Sequence, residues 1–164
     1  MFITLEGIEG SGKTTQIGRL VEFLENRGIE CVTTRQPGGT RIGENIRSIL
    51  LDPANSALAP MTELLLYLAD RSQHISELIG PCLQAGKTVI CDRYFDATMV
   101  YQGFARGLNI ELIQQLHQIL FDDLKPDVTL LLDLAPQVGL QRAWQQLNNG
   151  QRSGLESRFE AETV

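Results

Sequence analysis

The first residues that could do chemistry lie in the stretch GIEGSGKTT, from Gly7 to Thr15. Gly7, Gly12, Lys13 and Thr14 have the spacing G-x-x-x-x-G-K-[ST], which is typical of a phosphate-binding P-loop. Glycines allow backbone N–H groups to approach phosphate oxygens closely, and a following helix directs its positive N-terminus at the same anion. The lysine would reach the β- and γ-phosphates, and the threonine hydroxyl would bind Mg²⁺. The pattern therefore predicts a nucleotide site; the alternative is a glycine-rich turn with a solvated lysine.

The loop by itself indicates a nucleoside triphosphate site but does not choose between GTPases, ATPases and small-molecule kinases. The chain contains no Asn-Lys-x-Asp motif for recognising guanine, which argues against a GTPase. We expect the nucleotide to be held by residues of the loop, namely Gly7, Glu9, Gly10, Ser11, Gly12, Lys13, Thr14 and Thr15.

Arginines recur in three further segments: TRQPGGT (34–40), LADR (68–71) and DRYFDATMVYQGFARG (92–107). These segments follow predicted strands or lie on helices that border the carboxyl edge of the predicted sheet, where open α/β sheets bind ligands. Guanidinium groups match phosphate oxygens, and an aspartate that ends an apolar strand, such as Asp92, is well placed to hold Mg²⁺ through water. The segments therefore predict a phosphoryl-acceptor site beside the P-loop.

The elements that must position these residues alternate along the chain. Apolar, β-rich segments predict four strands, in the order FITLE, ECVTT, KTVICDR and DVTLLLDL. Segments with helical period lie between and after them, and a kink is expected near Gly80-Pro81. Crossovers of this length favour parallel strands with helices on both faces. We therefore predict one domain over residues 1–164, a three-layer α/β/α fold of the P-loop NTPase type with a central parallel sheet.

Composition narrows the classes of protein that fit. The 164 residues carry 14 Lys and Arg against 20 Asp and Glu, and the net charge of -6 argues against a general nucleic-acid or acidic-membrane binder. The three cysteines form no CxxC pair, which favours reduced thiols in a cytoplasmic protein. The N-terminal residues MFITLEGIEG do not resemble a signal peptide, and the apolar runs are too short to span a bilayer.

The PGGT turn, the strand-end DRY and the segment YQGFARG together resemble the thymidylate kinase family, which transfers the γ-phosphate of ATP to dTMP. The resemblance runs from Phe2 to about Glu160. It implies ATP and dTMP as substrates, Mg²⁺ as cofactor and a homodimer packed through helices, including the face from Ile113 to Phe121. Two alternatives remain open: a kinase for another nucleoside monophosphate, and a weakly active nucleotide-binding protein.

The resemblance implies roles for residues at the phosphates and the sugar. Glu9 matches an acidic residue that bonds the sugar 3′-hydroxyl and helps to organise the metal. Arg35 and Arg93 match the pair that binds the acceptor phosphate, and Asp92 resembles the carboxylate near Mg²⁺. Lys13, Asp92 and Arg93 are therefore expected to be catalytic.

The resemblance also implies how the base is recognised. Tyr67 matches the aromatic residue that stacks on thymine, and Arg71 matches the guanidinium that is bonded to the base carbonyl. Thr98 and Gln102 match polar positions that face the base. Tyr101 resembles the residue under the sugar that disfavours a 2′-hydroxyl.

Purely structural interpretations compete with these roles. Arg71 could be solvated or paired with Asp70, and Asp92-Arg93 could be a surface ion pair at a strand end. Glu9 could be a solvated loop acid, and Tyr67 and Tyr101 could be core aromatics.

The two histidines, His74 and His117, lie on predicted helices. Neither has metal-ligand partners at a suitable spacing, so the pattern does not indicate a metal site. We expect both side chains at the surface.

A catalytic arginine is missing from the loop. Some thymidylate kinases carry it inside the P-loop, but Gly10 stands at the matching position here. The resemblance is therefore to the branch, common in bacteria, in which a closing lid supplies the arginine. We expect the lid at about residues 148–158, with Arg152 as the catalytic arginine and Arg158 and Arg142 as alternatives. The competing interpretation is a connector with solvated arginines.

Three features depart from the family pattern. Gln36 replaces the usual glutamate before the PGGT turn, which removes a charge near the acceptor site. Ala97 stands where a serine is common, which removes one polar contact. The sequence stops at Val164, so we expect the C-terminal part of the family fold to be absent, leaving an incomplete adenine pocket and an exposed sheet edge.

Overall fold

The computed structural model of the chain describes residues 1–149. Arg152 and Arg158 of the predicted lid lie outside the described residues. None of the helices within residues 1–149 has the length and apolarity that crossing a membrane requires.

Within this part of the chain, the strands form one parallel sheet in the order β2-β3-β1-β4: β1 (Phe2–Glu6), β2 (Cys31–Arg35), β3 (Thr88–Asp92) and β4 (Val128–Leu131). The prediction of a central parallel sheet is confirmed. All five residues of β1 are buried, as its apolar sequence requires. Asp92 lies in register with Leu5 on one side and with Arg35 on the other. The carboxyl ends of three neighbouring strands therefore meet at the edge where the site was predicted.

Helices connect these strands and follow the last of them. They are α1 (Lys13–Glu25), α2 (Arg41–Leu51), α3 (Pro60–His74), α4 (Gly80–Gln84), α5 (Phe95–Thr98), α6 (Ile110–Phe121) and α7 (Pro136–Asn148). Helix α2 occupies the predicted segment RIGENIRSILL, because the Thr40 hydroxyl caps its N-terminus by accepting a hydrogen bond from the Gly43 N–H. Pro136 begins α7, where the missing N–H costs nothing.

The kink expected near Gly80-Pro81 is a π-helical turn at Ile75–Ile79, which joins α3 to α4. The Gly80 N–H donates to the carbonyl oxygen of Ile75, so this turn holds one residue more than a turn of α-helix. The next residue, Pro81, has no N–H to donate to the helix. A second π-helical turn, Met99–Ala105, continues from α5 and carries Tyr101 and Gln102.

Alternation along the strands gives the sheet two apolar faces. On one face, Ile3, Leu5 and Ile90 pack against the apolar side of α1. On the other face, Phe2 and Val89 pack against residues of α4 and the π-helical turn before it. The sheet is therefore covered on both sides, which is the predicted three-layer arrangement.

The prediction that His74 and His117 lie at the surface is wrong, since their exposed fractions are 0% and 1%. The rings lie on the inward faces of α3 and α6, and each finds a polar partner there. His74 Nε2 lies 2.6 Å from the Thr34 hydroxyl, and His117 Nε2 lies 3.1 Å from the Leu124 carbonyl oxygen. These partners offset part of the cost of burying the imidazoles, whose Nδ1 atoms have no partner among the described residues.

Candidate active site

The loop between β1 and α1 has the backbone geometry of an anion site. Gly7 and Gly10 have φ values of 142° and 72°, which residues with a Cβ rarely adopt. Gly12 precedes α1, and no side chain caps the first turn of that helix. The amides at the start of α1 are therefore left for an anionic ligand, in the positive end of the helix dipole.

Lys13 lies against this loop. Its Nζ donates to the carbonyl oxygens of Gly7 and Ile8, at 2.8 and 3.0 Å, and the side chain is buried. Burial and the nearby Arg93 guanidinium lower the pKa of Lys13. The loop therefore holds the ammonium group in place before any nucleotide arrives, while Thr14 and Thr15 remain exposed in the first turn of α1.

Glu9 in the loop joins two residues predicted for the acceptor side. Arg93 Nη2 donates to Glu9 Oε1 at 2.6 Å, and the Tyr101 hydroxyl lies 3.1 Å from Oε2. Burial raises the pKa of Glu9, but the Arg93 guanidinium, a backbone N–H, the Lys13 ammonium and the Tyr101 hydroxyl together outweigh it and hold the pKa below its ordinary value. Burial raises the pKa of Tyr101 to about 12. Glu9 is therefore ionised at neutral pH, and it is paired with Arg93 and Tyr101 instead of being solvated alone.

Arg93 reaches this position through an unusual backbone. Its φ of 68° lies in the left-handed region, which is costly for a residue with a side chain. Its N–H donates to the Leu5 carbonyl oxygen at 3.0 Å, which anchors it beside the end of β1. The guanidinium is thereby held next to the P-loop.

Asp92 ends β3 with one carboxylate oxygen, Oδ1, that is buried and has no hydrogen-bond partner among the described residues. A buried carboxylate oxygen of this kind calls for a cation or a water. Within residues 1–149 no group of three His, Cys, Asp or Glu side chains could hold a metal. The arrangement fits Mg²⁺, which is usually bound by one or two protein oxygens together with phosphates and water.

Arg71 is fully buried, so the alternative of a solvated side chain does not hold. Its Nε donates to Gln36 Oε1 at 2.8 Å, and its Nη2 donates to Thr98 Oγ1 at 2.7 Å and to the Tyr94 carbonyl oxygen. The remaining nitrogen, Nη1, has no partner in the described part of the chain. Gln36 therefore supplies a neutral acceptor to Arg71, and one nitrogen of the guanidinium is left for a ligand.

Arg35 ends β2 and remains half exposed. Its Nη2 donates to Glu44 Oε2 at 2.9 Å. The next residue, Gln36, donates its backbone N–H to the Asp92 carbonyl oxygen at 2.9 Å, which extends the pairing of β2 and β3 beyond the strands. Arg35 therefore lies at the same edge as Asp92, with its guanidinium toward solvent.

Gln102 is buried, and its side-chain nitrogen donates to Glu63 Oε1 at 2.8 Å. It follows Thr98 by one helical turn, and Thr98 contacts Arg71. Tyr67, which precedes Arg71 by one turn of α3, is half-buried. The structure thus brings the predicted base-site residues onto α3 and onto the continuous segment formed by α5 and the second π-helical turn.

Comparison with known proteins agrees with this geometry. The thymidylate kinase family model matches residues 5–161. The thymidylate kinases of Desulfosudis oleivorans and Desulforapulum autotrophicum are both 59% identical over 164 residues, which is all of this chain and 77% and 72% of theirs. The chain belongs to the thymidylate kinase family. A crystal structure of thymidylate kinase from Ehrlichia chaffeensis matches with a TM-score of 0.77 and 40% identity, over 91% of this chain and 85% of that one.

The structure explains why Gly10 cannot be the arginine that some family members carry in the loop. A Cβ at Gly10 would lie 2.4 Å from the Gly139 carbonyl oxygen in α7, and 2.9 Å from the Cβ of Arg142. Arg142 Nη1 donates to the Gly10 carbonyl oxygen at 3.3 Å. Loop and helix are therefore too close for a side chain at this position, and α7 brings the guanidinium of Arg142 into contact with the loop.

Three acidic residues of the site region were missed by sequence reasoning. Glu6 ends β1, is buried, and accepts a hydrogen bond from the Tyr94 N–H at 2.8 Å; burial raises its pKa. Glu63 and Asp70 are fully buried on α3. A carboxylate directly after the apolar run FITL is a signal that could have identified Glu6. Nothing local marks the other two, because their partners are 32 residues or more away in sequence.

Asp70 and His74 both support the PGGT turn from α3. Asp70 Oδ1 accepts the Gly38 N–H at 2.9 Å, and a Cβ at Gly39 would lie 2.5 Å from His74 Nε2. Burial raises the pKa of Asp70 to about 7, despite the Gly38 N–H and the charge of Arg71. Burial and Arg71 lower the pKa of His74 to about 4.

These two shifts give opposite pH dependences of stability. Asp70 binds its proton more readily when folded, so its contribution is lost as pH rises from about 4 to 7. His74 binds its proton less readily when folded, so its contribution is lost as pH falls from about 6.5 to 4. When the pH is lowered from 7.5 to 5, we expect the free energy of unfolding of Asp70→Asn to fall by about 1–2 kcal/mol relative to that of the wild type.

The matched variant is His74→Asn, which should instead gain stability over the same interval, because only the Asp70 contribution remains. Urea unfolding at the two pH values measures both effects. Equal pH dependence in the wild type and both variants would contradict the assignment.

Proposed function

We propose that this chain uses the site described above to transfer the γ-phosphoryl group of ATP to dTMP, which gives ADP and dTDP on the route to dTTP. An oxygen of the dTMP phosphate attacks the γ-phosphorus, and the bond between that phosphorus and the β,γ-bridging oxygen breaks. The match to the thymidylate kinase family over residues 5–161 is the main support for this reaction. The residue roles below are our own assignments, supported by the contacts.

At the donor end, the loop amides and Lys13 bind the phosphates of ATP. Lys13 Nζ exchanges its carbonyl partners for phosphate oxygens, which keeps a positive charge beside the transferred group. The Thr14 hydroxyl and Asp92 would hold Mg²⁺. When bound, that ion supplies charge neutralisation between the phosphates.

At the acceptor end, Arg93 and Arg35 bind the phosphate of dTMP. Arg93 is the more buried member of the pair and Arg35 the more exposed one, so phosphate binding would draw Arg35 from its surface pair with Glu44. Glu9 accepts a hydrogen bond from the sugar 3′-hydroxyl, and Tyr101 lies beside it, where a 2′-hydroxyl would be crowded.

The base lies beside α3 and the segment that carries Thr98 and Gln102. Arg71 offers Nη1 to a carbonyl oxygen of the base, since its other nitrogens are occupied by protein. Tyr67 provides an aromatic face for stacking. A planar base with carbonyl groups suits this donor arrangement.

Closure over ATP is assigned to the segment at about residues 148–158, with Arg152 as the arginine that stabilises the charge on the transferred group. Arg142 is the alternative within the described residues, since it already contacts Gly10. The tight packing of Gly10 against α7 supports a source outside the P-loop.

We extend the proposal to a homodimer and a cytoplasmic location. Within the predicted face from Ile113 to Phe121, Ile119 and Leu120 are exposed by 76% and 53%, while Ile113 and Phe121 belong to the core. Two exposed aliphatic side chains on one helix suit a self-association surface. The free thiols of the three cysteines suit a reducing compartment.

A coupled ADP-release assay across dTMP, dUMP, dCMP, AMP and GMP tests the function. We expect the highest kcat/KM with dTMP, because the chain belongs to the thymidylate kinase family and the site offers donors for a carbonyl-bearing pyrimidine. A higher kcat/KM with another monophosphate would favour the alternative of a different nucleoside monophosphate kinase. ATP-dependent thermal stabilisation without turnover would favour a binding protein.

A further inference from the structure

A buried carboxylate, Glu63, controls the orientation of the Gln102 amide. Glu63 lies in the first turn of α3 and is 0% exposed. Its Oε1 accepts from Gln102 Nε2 at 2.8 Å, and Arg106 donates to both carboxylate oxygens at 3.2 Å. The three side chains come from two separate parts of the chain, so the contact exists only in the folded protein.

The pairing with Glu63 leaves the amide one orientation. An ionised carboxylate accepts hydrogen bonds and cannot donate, and the guanidinium of Arg106 keeps the charge of Glu63 balanced. If the amide of Gln102 turned over, its oxygen would face a carboxylate oxygen inside the protein, which is costly. Gln102 therefore directs its nitrogen at Glu63 and its oxygen away from it.

We propose that Glu63 is a positioning residue that selects the acceptor base by presenting the Gln102 oxygen to the ring nitrogen N3. This inference rests on the proposed function, because it requires the base to lie beside Gln102. Thymine and uracil carry a proton on N3 and can donate to the oxygen. Cytosine has an unprotonated N3, so two lone pairs would face each other.

The Arg71 donor acts in the same direction. Its Nη1 suits the O4 carbonyl of thymine or uracil and opposes the amino group of cytosine. By orienting Gln102, Glu63 adds a second position, N3, to the one at O4 where thymine is distinguished from cytosine. Glu63 itself does not contact the base.

The test is the ratio of kcat/KM for dTMP to that for dCMP in Glu63→Gln, with dUMP as a third acceptor. A neutral amide at position 63 can donate or accept, so Gln102 is released to turn over. We expect the ratio to fall about tenfold, mainly through KM, while the ratio of dTMP to dUMP stays constant. Loss of activity to the same extent with all three acceptors would overturn the proposal.

Arg106→Lys is the matched control. It replaces the forked contact with Glu63 but keeps the positive charge and leaves the hydrogen bond from Gln102 to Glu63 in place, so the ratio should stay within about twofold of the wild type. A fall as large as that in Glu63→Gln would show that disturbance of the cluster, rather than amide orientation, is responsible.

A wild-type measurement covers the case in which Glu63→Gln does not fold. N3-methyl-dUMP lacks the N3 proton but keeps both carbonyl oxygens, and we expect it to bind at least about tenfold more weakly than dUMP. Equal binding would overturn the proposal. Preference of the wild type for dCMP over dTMP would overturn the proposed function as well, whereas preference for dTMP with an unchanged ratio in the variant would overturn only the role of Glu63.

Discussion

Replacing Lys13 with methionine should lower kcat by at least about a hundredfold while changing the KM for dTMP little. Methionine keeps a flexible apolar side chain in the same space but removes the charge. The two carbonyl oxygens that hold Nζ, those of Gly7 and Ile8, show that the loop fixes the ammonium group before the substrate binds. The charge is therefore preorganised, which is the property that makes such a donor effective in the transition state.

Steady-state kinetics with saturating ATP and dTMP measure this effect. Lys125→Met is the control, because Lys125 is an exposed lysine whose partner is Asp123. It should retain the wild-type kcat. A kcat for Lys13→Met within about threefold of the wild type would contradict the assignment of the loop as the donor site.

Replacing Arg93 with methionine is expected to lower kcat/KM for dTMP by about a thousandfold. The guanidinium is assigned to the acceptor phosphate and is the cation that pairs with Glu9 at 2.6 Å. Its removal takes away a phosphate ligand and leaves the partly buried Glu9 carboxylate without its main charged partner, so the pKa of Glu9 should rise. The KM for ATP should change much less, because the loop amides and Lys13 are unaltered.

Two readouts separate this prediction from general damage. The acid limb of the kcat/KM profile should move to higher pH in Arg93→Met, since Glu9 must be ionised to accept the sugar hydroxyl. Arg27→Met is the control; Arg27 stacks on Phe23 at the end of α1 and should leave both the profile and kcat/KM unchanged. An equal rise in the KM for ATP and dTMP, with no shift of the profile, would refute the acceptor assignment.

The sequence contained most of the fold because the relevant signals are local. The strand FITLE, the P-loop spacing and the helix Arg41–Leu51 are each encoded within a few residues, by apolar pattern, glycine placement and a threonine cap. The parallel order follows from the alternation of these elements, and the strand ends then bring Arg35, Asp92 and the loop to one edge.

The interior contacts of the site could not be predicted in the same way. His74 was placed at the surface, yet its partner Thr34 comes from a strand 40 residues earlier. Glu63 stands in the first turn of α3, and its pairing with Gln102 depends on how α3 packs against the π-helical turn. Such pairs are set by tertiary packing, which a pattern of residue types along one element does not encode.

The roles of single residues depended on the family resemblance. Arginine and tyrosine at these positions are compatible with surface or core positions as well as with ligand contacts. The structure reduces the possible roles of Arg71, because its side chain is buried and one of its nitrogens has no partner among the described residues. The structure also reduces the possible roles of Glu9, because this residue is paired with Arg93 and Tyr101.

The central claim is that one edge of the sheet holds a triphosphate at Lys13 and a nucleoside monophosphate beside it. A crystal structure with a non-hydrolysable ATP analogue and dTMP tests it most directly. We predict γ-phosphate oxygens within hydrogen-bond distance of Lys13 Nζ, the dTMP phosphate between Arg35 and Arg93, and the base against Arg71. A triphosphate bound away from Lys13, or dTMP bound away from these three arginines, would contradict the account.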